Sequence, residues 1–134
     1  MPTVFADSFY FFALGNRNDP AHGKALEFFQ SFSGRVVTTG FVLMEFADGC
    51  CSTVAGRQIA SKVIRLLGSN PAIRVLPCSE YLFNDGLDLY DRRADKEWSL
   101  TDCVSFVVME REGIQDALTG DKHFEQAGFT ALLK

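Results

Sequence analysis

The chain is poor in the residues that carry soft-metal or nucleophilic chemistry. Its 134 residues include two histidines, His22 and His123, and four cysteines, Cys50, Cys51, Cys78 and Cys103, with no C-x-x-C spacing. A zinc site is therefore not expected, and the cysteines read as small buried residues in a reducing compartment. No stretch approaches the roughly 18 uncharged apolar residues of a membrane span. The apolar start FADSFYFFAL contains Asp7 and no basic leader, so a soluble, unexported, cytoplasmic protein with no membrane contact is expected. A Gly-rich dinucleotide fingerprint is missing too. Asp7 is followed by Ser8 and Phe9 rather than by the second acid of a D-x-D phosphotransferase, and IRVLPCS lacks the phosphorylatable Asp of a receiver domain.

Acidic residues are absent from Gly49 to Ser79, where Arg57, Lys62, Arg65 and Arg74 make one part of the chain locally basic. A second basic cluster, Arg92, Arg93 and Lys96, is interleaved with Asp91, Asp95 and Glu97. Each cluster fits a solvated helix face or a phosphate-facing groove. The net charge of −4 argues against nonspecific coating of nucleic acid, which relies on many Lys and Arg neutralising phosphates. What the chain has in plenty is apolar side chains: 47% of residues, thirteen of them Phe. That composition excludes a disordered chain and, at this length, suits one domain over residues 1–134 with a sizeable core and a single site.

Short apolar runs alternate with helical patterns, which indicates an α/β fold. Strands are expected at Thr3 to Ala6, Arg35 to Thr38, Ile73 to Leu76, Gln115 to Leu118 and Thr130 to Leu133. Helices are expected from Asp19-Pro20 through KALEFFQSF, over GFVLMEFADGC capped by Thr39, over GRQIASKVIRLL, over SEYLFNDGLDLYDRR, and over TDCVSFVVMERE up to Gly113. Strands joined by right-handed helical crossovers form a parallel sheet covered on both faces, a three-layer α/β/α sandwich. The simplest doubly wound order is 3-2-1-4-5. Strands one and four are then neighbours, and the crevice at their C-terminal ends is where such sheets place ligands.

Four acids from distant parts of the chain can face that crevice. Asp7 follows strand one, Asp121 follows strand four through Thr119 and Gly120, Asp102 opens the helix that feeds strand four, and Glu45 lies in the helix after strand two. Each has a structural alternative. Ser99 and Asp102 form the capping box S-x-x-D, Asp7 fits the cap of the short helix SFYFFAL, and Asp121 fits an ordinary turn. Glu45 is the exception. It is the only charge from Gly40 to Ala47, and no Lys or Arg lies within eight residues of it, so no helical ion pair neutralises it. A hard divalent cation would, and oxygen donors favour Mg²⁺ or Mn²⁺. Such a cluster suits in-line hydrolysis of a phosphodiester, which needs no Ser or Cys nucleophile.

Three segments, FADSFYFFAL, VLMEFAD and above all WSLTDCVSFVVMEREGIQDALTGDKHFEQAGF, resemble the PIN domain nucleases, and within them the VapC-like toxin group, over nearly the whole chain. The resemblance implies a PIN-like fold and a Mg²⁺- or Mn²⁺-dependent endoribonuclease whose acidic quartet maps onto Asp7, Glu45, Asp102 and Asp121. Ser8 and Thr119 match polar positions that line such sites, or they bind local backbone amides. His123 reads as a positioning or surface residue, Phe124 as a core anchor, and Lys122 as a phosphate contact or a solvated charge. The partners implied are an RNA substrate, a small antitoxin that inserts into the acidic groove, and a second copy of the chain, with the Phe-rich helix from Asp19 to Ser33 as a candidate dimer surface. The competing reading is a noncatalytic PIN-like module for binding protein or RNA, in which the acids grip a partner's basic segment.

Overall fold

Ala6 on strand β1 (Thr3–Ala6) lies beside Leu118 on strand β4 (Asp116–Leu118), and this pairing organises the molecule. In the computed structural model, which describes residues 2–134, these two strands are the centre of a five-stranded sheet. The remaining strands are β2 (Arg35–Thr39), β3 (Ile73–Leu76) and β5 (Thr130–Ala131). All pairings are parallel and the order is β3-β2-β1-β4-β5. The order expected from the alternation of apolar runs and helices is the one observed, although β5 stops at Ala131 rather than Leu133.

Among the described residues seven helices make the crossovers: α1 (Ser8–Gly15), α2 (His22–Ser31), α3 (Gly40–Gly49), α4 (Val54–Ser69), α5 (Glu80–Arg92), α6 (Leu100–Glu112) and α7 (Lys122–Gln126). Right-handed crossovers assign the helices after β1 and β2 to one face of the sheet and those after β3 and β4 to the other, giving the α/β/α sandwich. Caps fix where several helices begin. Thr39, Thr53 and Ser79 accept hydrogen bonds from backbone amides of the first turns of α3, α4 and α5. Gly113, at φ 67°, ends α6 in the left-handed conformation that glycine adopts without a Cβ penalty. Helix α2 starts later than expected: Asp19 forms a turn, accepting from the Ala21 amide, and the helix opens at His22.

The core is aromatic. Phe5 and Phe124 are fully buried, and Phe124 joins Phe106 in an edge-on pair at 4.9 Å, so it anchors the core as expected. Trp98 packs edge-on against Phe106 at 5.0 Å. Helices α5 and α6 approach closely at Gly86, where a Cβ would stand 2.4 Å from Val104 Cγ2 and 3.1 Å from its Cα. One expectation is corrected. Only Cys103 is buried, whereas Cys51 and Cys78 are exposed and Cys50 is partly so, because Cys51 sits in the turn between α3 and α4 and Cys78 in the β3–α5 loop. In the Phe-rich α2 segment the half-buried Phe28 stacks with Phe32 at 4.4 Å and meets Tyr10 edge-on, while Phe29 points outward. Among the described residues, no helix is long and apolar enough to cross a membrane.

Candidate active site

The β1–β4 pairing carries both chains out of the sheet at the same level, so Asp7 and Thr119 emerge side by side. Thr119 Oγ1 donates to Asp7 Oδ2 at 3.0 Å, and both residues are buried. The end of β1 is held from its other neighbour by Thr38, whose hydroxyl donates to the Ala6 carbonyl at 2.8 Å. Asp7 occupies the position before α1, yet its side chain makes no cap hydrogen bond. Its carboxylate faces Thr119 instead. Thr119 Oγ1 also accepts the Asp121 amide at 3.1 Å, which turns the chain so that Asp121 caps α7 by accepting the His123 amide at 2.9 Å.

Asp102 does two things at once. The Ser99 hydroxyl accepts its amide at 3.0 Å while Asp102 Oδ2 accepts the Ser99 amide at 3.2 Å, which completes the capping box at the start of α6. The same Oδ2 accepts a hydrogen bond from His123 Nδ1 at 3.1 Å, and that nitrogen lies 3.5 Å from Asp121 Oδ1. Glu45, from α3, is partly buried rather than fully so, and it is partnered by a hydroxyl: Ser8 Oγ donates to Glu45 Oε1 at 2.5 Å. The isolation of Glu45 along its own helix is real, but its partner comes from α1, thirty-seven residues away.

The four acids open onto one depression of about 340 Å³, lined by Asp7, Ser8, Phe9, Phe12, Glu45, Glu97, Ser99, Asp102, Asp121 and His123. Five of these residues are carboxylates, and none is Lys or Arg. Burial, followed by the charge of Asp102 and opposed by the Thr119 hydrogen bond, pushes the Asp7 carboxyl up to about 7. Burial also raises Asp102, against the hydrogen bonds from the Ser99 amide and His123. Cys103, next to Asp102, is held as a neutral thiol by burial, which pushes it up to about 11, so it is no nucleophile. Ligand atoms of Asp102, Asp121 and His123 all lie within 4.8 Å of one another. Oxygen donors plus one imidazole, in an opening lined by no Lys or Arg, make a donor set that suits a hard divalent cation. His123 thus stands at the centre of the cluster, between two of the acids, rather than at the surface. The sequence holds no signal for that placement beyond its position in GDKHF.

The basic residues divide between two places. Arg57, Lys62 and Arg65 line a larger cavity of about 1010 Å³ formed by residues of α3, α4 and the turn between them, and none of the four acids borders it. Arg93 and Lys96 instead line a cavity of about 520 Å³ that shares Glu97 and Ser99 with the acidic opening. Arg92 is exposed at the last turn of α5, and Lys122 is exposed at the start of α7 beside Asp121. Arg74 lies at the opposite end of the sheet from the acids and pairs with Glu112 at 2.7 Å.

No protein-family model matches the chain. Over 129 residues, 94% of its length and 95% of the relative's, it is 33% identical to the 23S rRNA-specific endonuclease VapC20 of Mycobacterium tuberculosis, in strains H37Rv and CDC 1551 alike. The crystal structure of that mycobacterial VapC20, described as a sarcin-ricin loop cleaving toxin, superposes with a TM-score of 0.83 at 31% identity, covering 95% of this chain and 96% of the other. FitAcB from Neisseria gonorrhoeae (TM-score 0.65, 14% identity, 96% and 95% covered) and FitAB bound to an IR36 DNA fragment (0.71, 13%, 98% and 96%) share the fold. With its β3-β2-β1-β4-β5 sheet, its acids gathered where β1 and β4 end, and a relative of this identity matched along almost its whole length, the chain belongs to the VapC-like PIN domain toxin nucleases.

Proposed function

We propose that the chain is a divalent-metal-dependent endoribonuclease and the toxin of a toxin–antitoxin pair, with Asp7, Glu45, Asp102 and Asp121 as its catalytic acids and Mg²⁺ or Mn²⁺ as its cofactor. The observation that carries this reading is the single opening lined by all four acids and by no Lys or Arg. Carboxylates held together repel one another, and the Asp7 carboxyl is raised by burial first and by the Asp102 charge second. A cation held by these acids would supply polarisation of a phosphodiester and shielding of the negative charge that develops during its hydrolysis.

The remaining tasks belong to the chain's own groups. Thr119 presents Asp7 by donating to one of its oxygens, Ser8 does the same for Glu45, and the capping box fixes Asp102 at the helix start. His123 links Asp102 to Asp121 and holds their carboxylates at a set separation. Lys122, next in the chain to Asp121, and Lys96, in the cavity that shares Glu97 and Ser99 with the opening, are the basic groups best placed to meet RNA, and Arg92 is exposed at the end of α5. Arg57, Lys62 and Arg65 lie around the other cavity and would contact only a longer substrate, and Arg93 is engaged by Asp95. A ring of acids without its own cationic side chains also suits a partner that inserts a guanidinium, which is how a small antitoxin would silence it.

The relative's description as a 23S rRNA-specific endonuclease makes ribosomal RNA the first substrate to test. Purified protein incubated with a sarcin-ricin loop oligonucleotide and with a panel of other structured RNAs should cut at least one of them in Mg²⁺ or Mn²⁺. Cutting should stop in EDTA and in Asp7→Asn and Asp121→Asn. Cleavage that persists in EDTA would overturn the metal-dependent reading, and absence of cleavage of every RNA in both metals would overturn the ribonuclease reading.

A further inference from the structure

The cavity beside the acidic opening has its own chemistry. About 520 Å³ in volume, it is lined by Tyr90, Arg93, Lys96, Glu97, Trp98 and Ser99, among others. Glu97 and Ser99 also line the acidic opening, so the two share a wall. Ser99 is the residue whose amide and hydroxyl hold Asp102. A ligand in this cavity therefore sits beside the acidic opening. We propose that it receives a single unstacked nucleobase of the RNA, adjacent to the phosphodiester that the acids address, with Tyr90 as the stacking platform. The identity of the ligand rests on the ribonuclease reading above; the shape and chemistry of the cavity do not.

Three observations point to a base rather than to a phosphate. First, one wall is an aromatic side chain held in place from several sides. Trp98 is 6% exposed, packs edge-on against Phe106, donates from Nε1 to Gln126 Oε1 at 3.1 Å, and is covered by the Arg93 guanidinium 4.9 Å from its ring centre. Arg93 is fixed in turn by two hydrogen bonds to Asp95, at 2.9 and 3.1 Å. Second, Tyr90 is about half exposed and, among the described residues, pairs with no other ring or cation. Tyr81, at the other end of the same helix, is covered by Arg111 at 4.8 Å. A free aromatic face beside a nucleic-acid-cleaving site is the platform that single-stranded RNA uses, because every base has a π-face. Third, the polar groups are of both kinds, the Lys96 ammonium as donor and the Glu97 and Asp91 carboxylates as acceptors. A base edge offers both complements, whereas the two carboxylates oppose an anion.

Trp98 is the only tryptophan in the chain, so its emission reports on this cavity directly. The four homotetranucleotide RNAs, titrated into the full-length protein in EDTA, should produce a saturable change in Trp98 emission with at least one base. Tyr90→Ala should weaken that binding about 10- to 100-fold, the range of losing one base–aromatic stack, and Tyr90→Phe should keep it. In Mn²⁺, replacing the bases flanking the cleaved bond one at a time by abasic sites should lower kcat/KM at one position, and at that position the abasic substrate should cost Tyr90→Ala nothing further. No saturable signal with any of the four RNAs, or equal affinity in Tyr90→Ala and wild type, overturns the base site. Tyr90-dependent binding without cleavage of any RNA leaves the base site standing and sinks the ribonuclease reading, while cleavage without Tyr90-dependent binding does the reverse.

Discussion

Replacing Asp7 by asparagine should make the metal-free protein more stable at alkaline pH, which is the opposite of what losing a buried hydrogen-bonded residue normally does. The Asp7 carboxyl is raised from 3.8 to about 7, by burial first and by the Asp102 charge second. Because the folded protein holds this proton more tightly than the unfolded chain, the stability tied to it is fully present below about pH 4 and is lost as pH rises through about 7. A difference of about three pH units, at about 1.4 kcal/mol each, gives about 4 kcal/mol of destabilisation at pH 8 relative to an unperturbed carboxyl. Asparagine keeps an oxygen that accepts the Thr119 hydroxyl and carries no charge, so it should recover a large part of that energy. For a chain of this size the gain corresponds to a rise in Tm on the order of 10 °C. The assay is denaturant unfolding of both proteins in EDTA at pH 5 and pH 8. Asp7→Asn should be the more stable at pH 8, with the advantage shrinking toward pH 5, where wild-type Asp7 is largely protonated. The same stability difference at both pH values would refute the claim that Asp7 bears an uncompensated charge in this site.

Two further outcomes follow from single contacts. Thr119→Val removes the hydroxyl that donates to Asp7 and accepts the Asp121 amide; it should cost about 1–3 kcal/mol in urea unfolding and weaken divalent-metal binding in calorimetry, whereas Thr119→Ser should retain most of both. Gly86→Ala, although it improves intrinsic helix propensity, places a Cβ 2.4 Å from Val104 Cγ2 and 3.1 Å from Val104 Cα, so it should destabilise the protein by about 1–3 kcal/mol through overpacking between α5 and α6; a gain in Tm would contradict that packing.

Much of the architecture was legible because it follows from local chemistry. Apolar runs of four or so residues alternating with longer helical patterns permit few topologies, and the observed sheet order is the simplest of them. The strand ends then carry Asp7 and the Thr119–Asp121 segment to one crevice without any further information. The S-x-x-D motif at Ser99 announced a capping box, and it formed; the same Asp102 oxygen also accepts from His123 and the residue lines the acidic opening, so the cap does not compete with the role proposed for this acid.

What was not legible depends on contacts between distant segments. Nothing along α3 identifies Ser8 as the partner of Glu45, and nothing in GDKHF says that His123 turns back onto Asp102 twenty-one residues earlier. Helix α7, with five residues, is too short to show periodicity. The basic run from Arg57 to Arg65 named a helix but not its direction, and the fold turns it toward a different cavity from the acids. Trp98 read as part of a family motif, while its part in a second cavity depends on Arg93 and Phe106 folding over it.

The central claim is that four acids from four parts of the chain form one opening that binds divalent metal, and the most direct test is to follow Tm with and without millimolar Mn²⁺ in wild type and Asp102→Asn. A ligand that binds only the folded state raises its stability, so Mn²⁺ should raise Tm by several degrees in wild type and by much less in Asp102→Asn. Equal rises in the two proteins, or none in wild type, would contradict the account.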